Sequence, residues 1–215
     1  MKKSLYATEF FFIAFFFVLP VFFSNQSSFS IFENRNFLIP SFFFLFAIIL
    51  YRFNYNALCV DGYIKKSIFN LRKNFFYFIL TLILLLLVSF SLNFLSRIFG
   101  VNKVSIPVDI KLNQFIFILI SIFCSAFYEE VIYRFLLPEI LRIFLKVKNY
   151  VVAELFIIVL FSLGHLYLGA WACINALISG LILRVCYLKT KTIIVPFVAH
   201  FFYNSLSIII LIFSK

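Results

Sequence analysis

Phe75-FYFILTLILLLLVSFSLNF-Leu95 runs for 21 residues without a charge. At 1.5 Å per residue a helix of that length covers about 31 Å, and the hydrocarbon core of a bilayer is about 30 Å thick. Arg72 and Lys73 precede the run and Arg97 follows it, so cations stand where headgroups would be. The stretch reads as a transmembrane helix. It sets the solvent for the chain, because lipid admits only helices and closed barrels.

Six more apolar runs share the sequence with it: Tyr6 to Phe23, Phe37 to Ile49, Phe115 to about Leu137, Val151 to Leu166, Ala170 to Leu188 and Ile193 to Phe213. The runs from Phe37 and from Val151 are short for a crossing. Polar connectors separate them, and neither a repeat nor a soluble domain interrupts. The expected fold is all-α, a polytopic transmembrane helical bundle of about seven spans, with residues 1–215 as a single transmembrane domain. Met1-Lys2-Lys3 ahead of a Phe-rich run has the outline of a signal peptide. The run continues to Phe23 with no small-residue cleavage site after it, so it reads as a first span.

Composition supports the same solvent. Of 215 residues, 65% are hydrophobic and 22% aromatic, against roughly 45–50% apolar content in soluble domains. Mean hydropathy is +1.12, and the 13% of charged residues is too little to coat a water-soluble surface. The 35 phenylalanines read as compositional bias, since Phe partitions into lipid much as Leu and Ile do. A net charge of +11 raises nucleic acid as a partner, but that needs Lys and Arg gathered on one folded face. Here they lie between apolar runs, where they set topology, so nucleic acid is excluded and membrane lipid is the expected partner.

With the N-terminus inside, thirteen Lys and Arg fall on the cytoplasmic side, Arg52 and Arg184 among them. Five fall outside, and Arg134 lies within a span. The expected localisation is a multi-pass protein of the cell membrane. Cys59, Cys124, Cys173 and Cys186 are far apart with no C-x-x-C spacing, and no chemistry is assigned to them.

A charge at mid-bilayer costs a few kcal/mol on insertion scales, so charges inside spans point to function. Glu129, Glu130 and Arg134 share the fourth run. Glu130 and Arg134 are four apart, one turn along a helix, where they can pair, while Glu129 points elsewhere. The fifth run ends in Phe161-Ser-Leu-Gly-His165, and the seventh contains His200-Phe-Phe-Tyr-Asn204, again at spacings of four. Phe161 can pack beneath His165. His200 and Asn204 present two hydrogen-bonding groups toward one point. Three helices thus offer an acid or base, an imidazole and a donor pair, which is what peptide hydrolysis by an activated water requires. No G-x-S-x-G, no H-E-x-x-H and no paired Ser or Cys nucleophile accompanies them.

The motifs Glu129-Glu130-x-x-x-Arg134, Phe161-x-x-x-His165 and His200-x-x-x-Asn204 resemble, in order and rough spacing, those of the CPBP family of intramembrane endopeptidases. That family includes the type II CAAX prenyl endopeptidases and bacteriocin-processing or immunity relatives. The resemblance covers about residues 115–213, the expected protease core. It implies that Glu129, with His165, activates water, that His200 and Asn204 stabilise the oxyanion, and that Glu130, Arg134 and Phe161 support them. Phe135 departs from the pattern, which has a small residue after the Arg.

The function so implied is an intramembrane peptidase, of glutamic type in preference to metallo type. Its substrate would be a membrane-associated peptide or protein, such as a prenylated tail or a leader peptide. No cofactor is favoured. The alternative ligand set is Glu129, His165 and His200 around a divalent metal such as zinc, since two imidazoles and a carboxylate make a catalytic zinc shell. A rival from another class is a non-catalytic bacteriocin-immunity or membrane scaffold protein. Glu139 and Glu154 read as interfacial or loop-adjacent charges outside the site, and Asn175 as an interhelical hydrogen-bonding residue.

Overall fold

The computed structural model describes residues 2–15, 38–61, 64, 69–100, 111–145 and 150–213. Among these, seven helices and no strand are found: α1 (Lys2–Ile13), α2 (Leu38–Val60), α3 (Leu71–Ile98), α4, α5 (Tyr150–Leu163), α6 (Ala170–Thr190) and α7 (Ile194–Phe213). Helix α4 is a composite of Leu112–Glu129, a π-helical turn Glu130–Leu136, and Leu137–Leu145. The protein is a helical membrane bundle. Among the described residues, four helices, α2, α3, α4 and α6, are long and apolar enough to cross a membrane. The apolar stretches Val151–Leu163 and Ile194–Ile210 are shorter.

Helix α3 extends the decisive run at both ends. Asn70 caps it by accepting the Lys73 N–H at 3.0 Å, and the chain leaves it through Gly100 at φ +67°, a backbone conformation suited to glycine. Its flanks carry Phe75, Phe76, Phe90 and Phe94 largely exposed, which in lipid is ordinary solvation.

Three expected boundaries move. The run from Phe37, expected to stop at Ile49, continues as helix to Val60, so Arg52 is helical rather than in a connector. Hydropathy falls there because Asn54 is polar, yet Asn54 is buried and donates to Glu9 of α1 at 2.5 Å and to the Leu50 carbonyl at 3.1 Å. The fourth run continues past Leu137 and through Pro138 to Leu145 without a break. The fifth ends at Leu163, three residues early, and passes through a 3₁₀ turn, Leu166–Leu168, into Gly169 at φ +101° and then α6. Of the first expected span, Tyr6 to Phe23, the described residues include the part up to 15. The rest, and much of the connectors Asn25 to Arg35, Arg97 to Lys111 and Arg142 to Lys148, lies outside the described residues.

In the packing, α2 and α7 flank the first segment of α4, while α1 lies on its last segment. Helix α6 sits among α3, α5 and α7. Asn175 of α6 donates to the Tyr203 hydroxyl of α7 at 2.7 Å, the interhelical role its sequence position implies. The main core forms around the π turn, all seven residues of which are buried. A turn that carries two opposite charges is therefore also among the least accessible stretches.

Candidate active site

Glu130 and Arg134 are both fully buried, with Glu130 Oε2 3.4 Å from Arg134 Nε. Carboxylate and guanidinium at that depth neutralise each other, the condition under which a buried charge is tolerated. The Arg134 guanidinium carbon also lies 4.1 Å from the centre of the Phe161 ring, whose π face is attractive to a cation. Phe161 thus backs Arg134 from α5, and its ring meets Tyr133 at 5.1 Å and His165 at 4.7 Å.

His200 enters from α7, where Pro196 sits in the first turn and disturbs no helical bond. Its Nδ1 lies 2.9 Å from Glu130 Oε1, and its Nε2 lies 3.8 Å from Glu129 Oε2. A carboxylate ionised against Arg134 can only accept, so Nδ1–H donates to Glu130. That bond fixes the ring and turns Nε2 toward Glu129. Glu129 itself is one-fifth exposed, unlike its neighbour, and so is the carboxylate with access to a reactant.

His165 terminates α5. Its backbone N–H turns to the Ser162 carbonyl at 2.9 Å in a 3₁₀ bond, which withdraws the usual helical donor from the Phe161 carbonyl. The ring of His165 replaces it: Nδ1 is 2.9 Å from that carbonyl, and a carbonyl can only accept. The four-residue spacing therefore does two things, stacking ring on ring and committing Nδ1–H, so that Nε2 is left as the nitrogen for other use. Burial and, next, the charge of Glu129 push the phenol of Tyr167 above its ordinary range.

The structure joins Glu129, Glu130, Arg134 and His200 directly. Phe161 contacts Arg134 and His165, but Glu129 and His165 make neither a hydrogen bond nor an ion pair with each other. Asn204 lies one turn beyond His200 on α7 and makes no hydrogen bond among the described residues. Phe135, the departure from the family pattern, fills space between α2, α4 and α6, edge-on to Tyr51 at 5.0 Å.

Arg184, expected on the cytoplasmic side, and Glu139 and Glu154, expected as interfacial or loop-adjacent charges, meet in one largely buried cluster near the site, a meeting the sequence reading does not foresee. Arg184 is 3% exposed, and it donates to the main-chain carbonyl of Arg134 and, at 2.6 Å, to Glu154. Glu139 approaches the same guanidinium at 3.7 Å and pairs with Arg142 at 2.8 Å. The available signal is that Arg184 falls inside its own apolar run, about one turn from its end at Leu188.

Among the described residues, no three His, Cys, Asp or Glu side chains come together as a group that could hold a metal ion. Glu129, His165 and His200 do not fit that role as they stand.

Residues 111–206 match the family model of the Rce1-like type II CAAX prenyl endopeptidases. The matched stretch covers 96 of the 215 residues. It contains all three motifs, from Glu129 to Asn204, and agrees with the CPBP resemblance read from them. The family implies a protease, hence a hydrolase acting on a peptide or protein in a membrane setting. No curated protein and no solved structure matches the chain.

Proposed function

We propose that this protein is an intramembrane endopeptidase of the cell membrane that hydrolyses a membrane-associated peptide without a covalent intermediate. Glu129 takes a proton from water, and the Nε2 of His165 helps to hold that water. The water oxygen attacks the scissile carbonyl carbon, and the tetrahedral oxyanion is met by Asn204 and His200. Because Nδ1–H of His200 is committed to Glu130, His200 donates to the oxyanion only with a proton on Nε2 as well. When the C–N bond breaks, the proton on Glu129 passes to the leaving amine, so water and peptide yield a carboxylic acid and an amine with no other reactant.

The observation that carries this reading is the clamp on His200, buried between Glu130 at 2.9 Å and Glu129 at 3.8 Å in the middle of an apolar bundle. Polar groups are costly there, and a purely structural ion pair of Glu130 with Arg134 needs neither His200 nor Glu129. The family description further supports a prenylated C-terminal peptide as substrate.

The test compares full-length protein with Glu129→Gln and His165→Ala in two assays. One is cleavage of a farnesylated C-a-a-X peptide by protein in nanodiscs, and the other is comparative proteomics of membrane and secreted peptides from cells. Both variants are expected to reach the membrane at normal levels and to lose cleavage. Wild-type cleavage by both would refute the assignment. Loss of cellular products with no action on the farnesylated peptide would retain the protease and replace the substrate.

A further inference from the structure

In an α-helix the carbonyl of residue 134 accepts from the N–H of residue 138, and here residue 138 is Pro138, which has no N–H and whose ring crowds that same carbonyl. The chain does not break. It widens into the π turn Glu130–Leu136, which closes with the Leu137 N–H on the Ile132 carbonyl, one residue further than in an α-helix. The Arg134 carbonyl then meets a donor from another helix, the Nη1 of Arg184.

Arg184 is held for this from its other side. Its Nη2 lies 2.6 Å from Glu154 of α5 and 3.7 Å from Glu139 of α4, and Arg142 stands 2.8 Å from Glu139. Two cations and two anions balance without help from Glu129, Glu130 or His200. Of this cluster, the Nη1 bond is the link to the π turn, and it ends on the residue whose side chain holds Glu130.

We propose that Arg184 is a positioning residue: by supplying the donor that Pro138 withholds from the Arg134 carbonyl, it fixes the π turn in the register that sets Glu129 and Glu130 around His200. This rests on the protease reading above. It assigns Arg184 no contact with substrate. Its effect runs through the backbone, as misplacement of a reacting group does.

The test is a rescue. Arg184→Gln together with Glu154→Gln removes the guanidinium without stranding a buried carboxylate, since Glu139 keeps Arg142. In nanodiscs, kcat on the farnesylated peptide is expected to fall about 10²-fold, the cost of roughly 1 Å of misplacement, with KM little changed. Adding Pro138→Ala returns an N–H to the Arg134 carbonyl and is expected to restore most of kcat. A structural role alone predicts a lower melting temperature and no recovery of kcat on adding Pro138→Ala.

Should the double variant fail to fold, the comparison is made in the Pro138→Ala background, where Arg184→Gln with Glu154→Gln is expected to leave kcat nearly unchanged. Arg184→Lys in the native background keeps the charge but has no forked second donor, and it is expected to lose kcat. The idea is overturned by unchanged kcat in the double variant, by absence of rescue, or by full activity in Arg184→Lys. Glu129→Gln runs alongside: if it cleaves normally the protease reading itself has failed, whereas an inactive Glu129→Gln without rescue removes only the role of Arg184.

Discussion

Nδ1 of His200 stands 2.9 Å from Oε1 of Glu130, while the other oxygen of that carboxylate faces Nε of Arg134 at 3.4 Å. One carboxylate thus serves two masters, neutralising a buried cation and aiming an imidazole.

Stability and activity should separate at this carboxylate. Glu130→Ala strands Arg134 and is expected to cost about 3–5 kcal/mol, read as a fall in thermal stability in detergent. Glu130→Leu with Arg134→Met replaces the pair by apolar side chains of similar reach, and stability is expected to return. Cleavage is not expected to return, because His200 has lost the acceptor that fixes its ring. Recovery of both together would show that Glu130 acts only by pairing with Arg134.

Asn204 tests the oxyanion assignment. It makes no hydrogen bond among the described residues and lies a turn from His200, so its amide is uncommitted. Removing one oxyanion donor costs about 10²–10³-fold in kcat with little effect on substrate binding. Asn204→Ala is expected to show that signature, with normal folding. A rise in KM at constant kcat would instead make Asn204 a substrate-binding residue.

The sequence made the bundle legible because lipid imposes a length rule on apolar runs, and α3 obeys it. It misread α2 because a buried Asn54 lowers hydropathy without ending a helix. It ends the fourth run at about Leu137, just ahead of Pro138. The structure shows no break: the π turn takes up the residue, His200 reaches both glutamates, and His165 makes no bond to Glu129. Spacings of four revealed the Glu130–Arg134 pair and the His165–Phe161 contact, since both are local to one helix. The His200–Glu130 bond and the Arg184 cluster join distant helices, and no local periodicity encodes which side chains meet there.

Metal dependence has a direct readout. Since Glu129, His165 and His200 do not gather as a ligand group, cleavage by purified protein is expected to withstand 1,10-phenanthroline and EDTA. Zinc measured in active protein should fall well below one per chain. Inactivation by chelator with recovery on adding zinc would establish the metallo mechanism and require Glu129, His165 and His200 to close around the ion.

Gly180 probes the wall behind the site. A Cβ placed there would come within 3.2 Å of the Phe161 ring, closer than ordinary contact, and 3.5 Å from Ile158, an ordinary contact. Phe161 has little room to yield, because its ring already lies against Arg134, Tyr133 and His165. The strain of Gly180→Ala must therefore pass to those three or part α6 from α5, and overpacking of this kind typically costs about 1–3 kcal/mol. Cleavage is expected to fall several-fold, with Gly180→Val worse. The companion change Phe161→Leu in the Gly180→Ala background should relieve the clash and recover stability, but it removes the aromatic face from Arg134 and His165, so full activity should not follow. If Gly180→Ala and Gly180→Val both retain wild-type cleavage and stability, the close packing of α6 on Phe161 does not hold in the membrane.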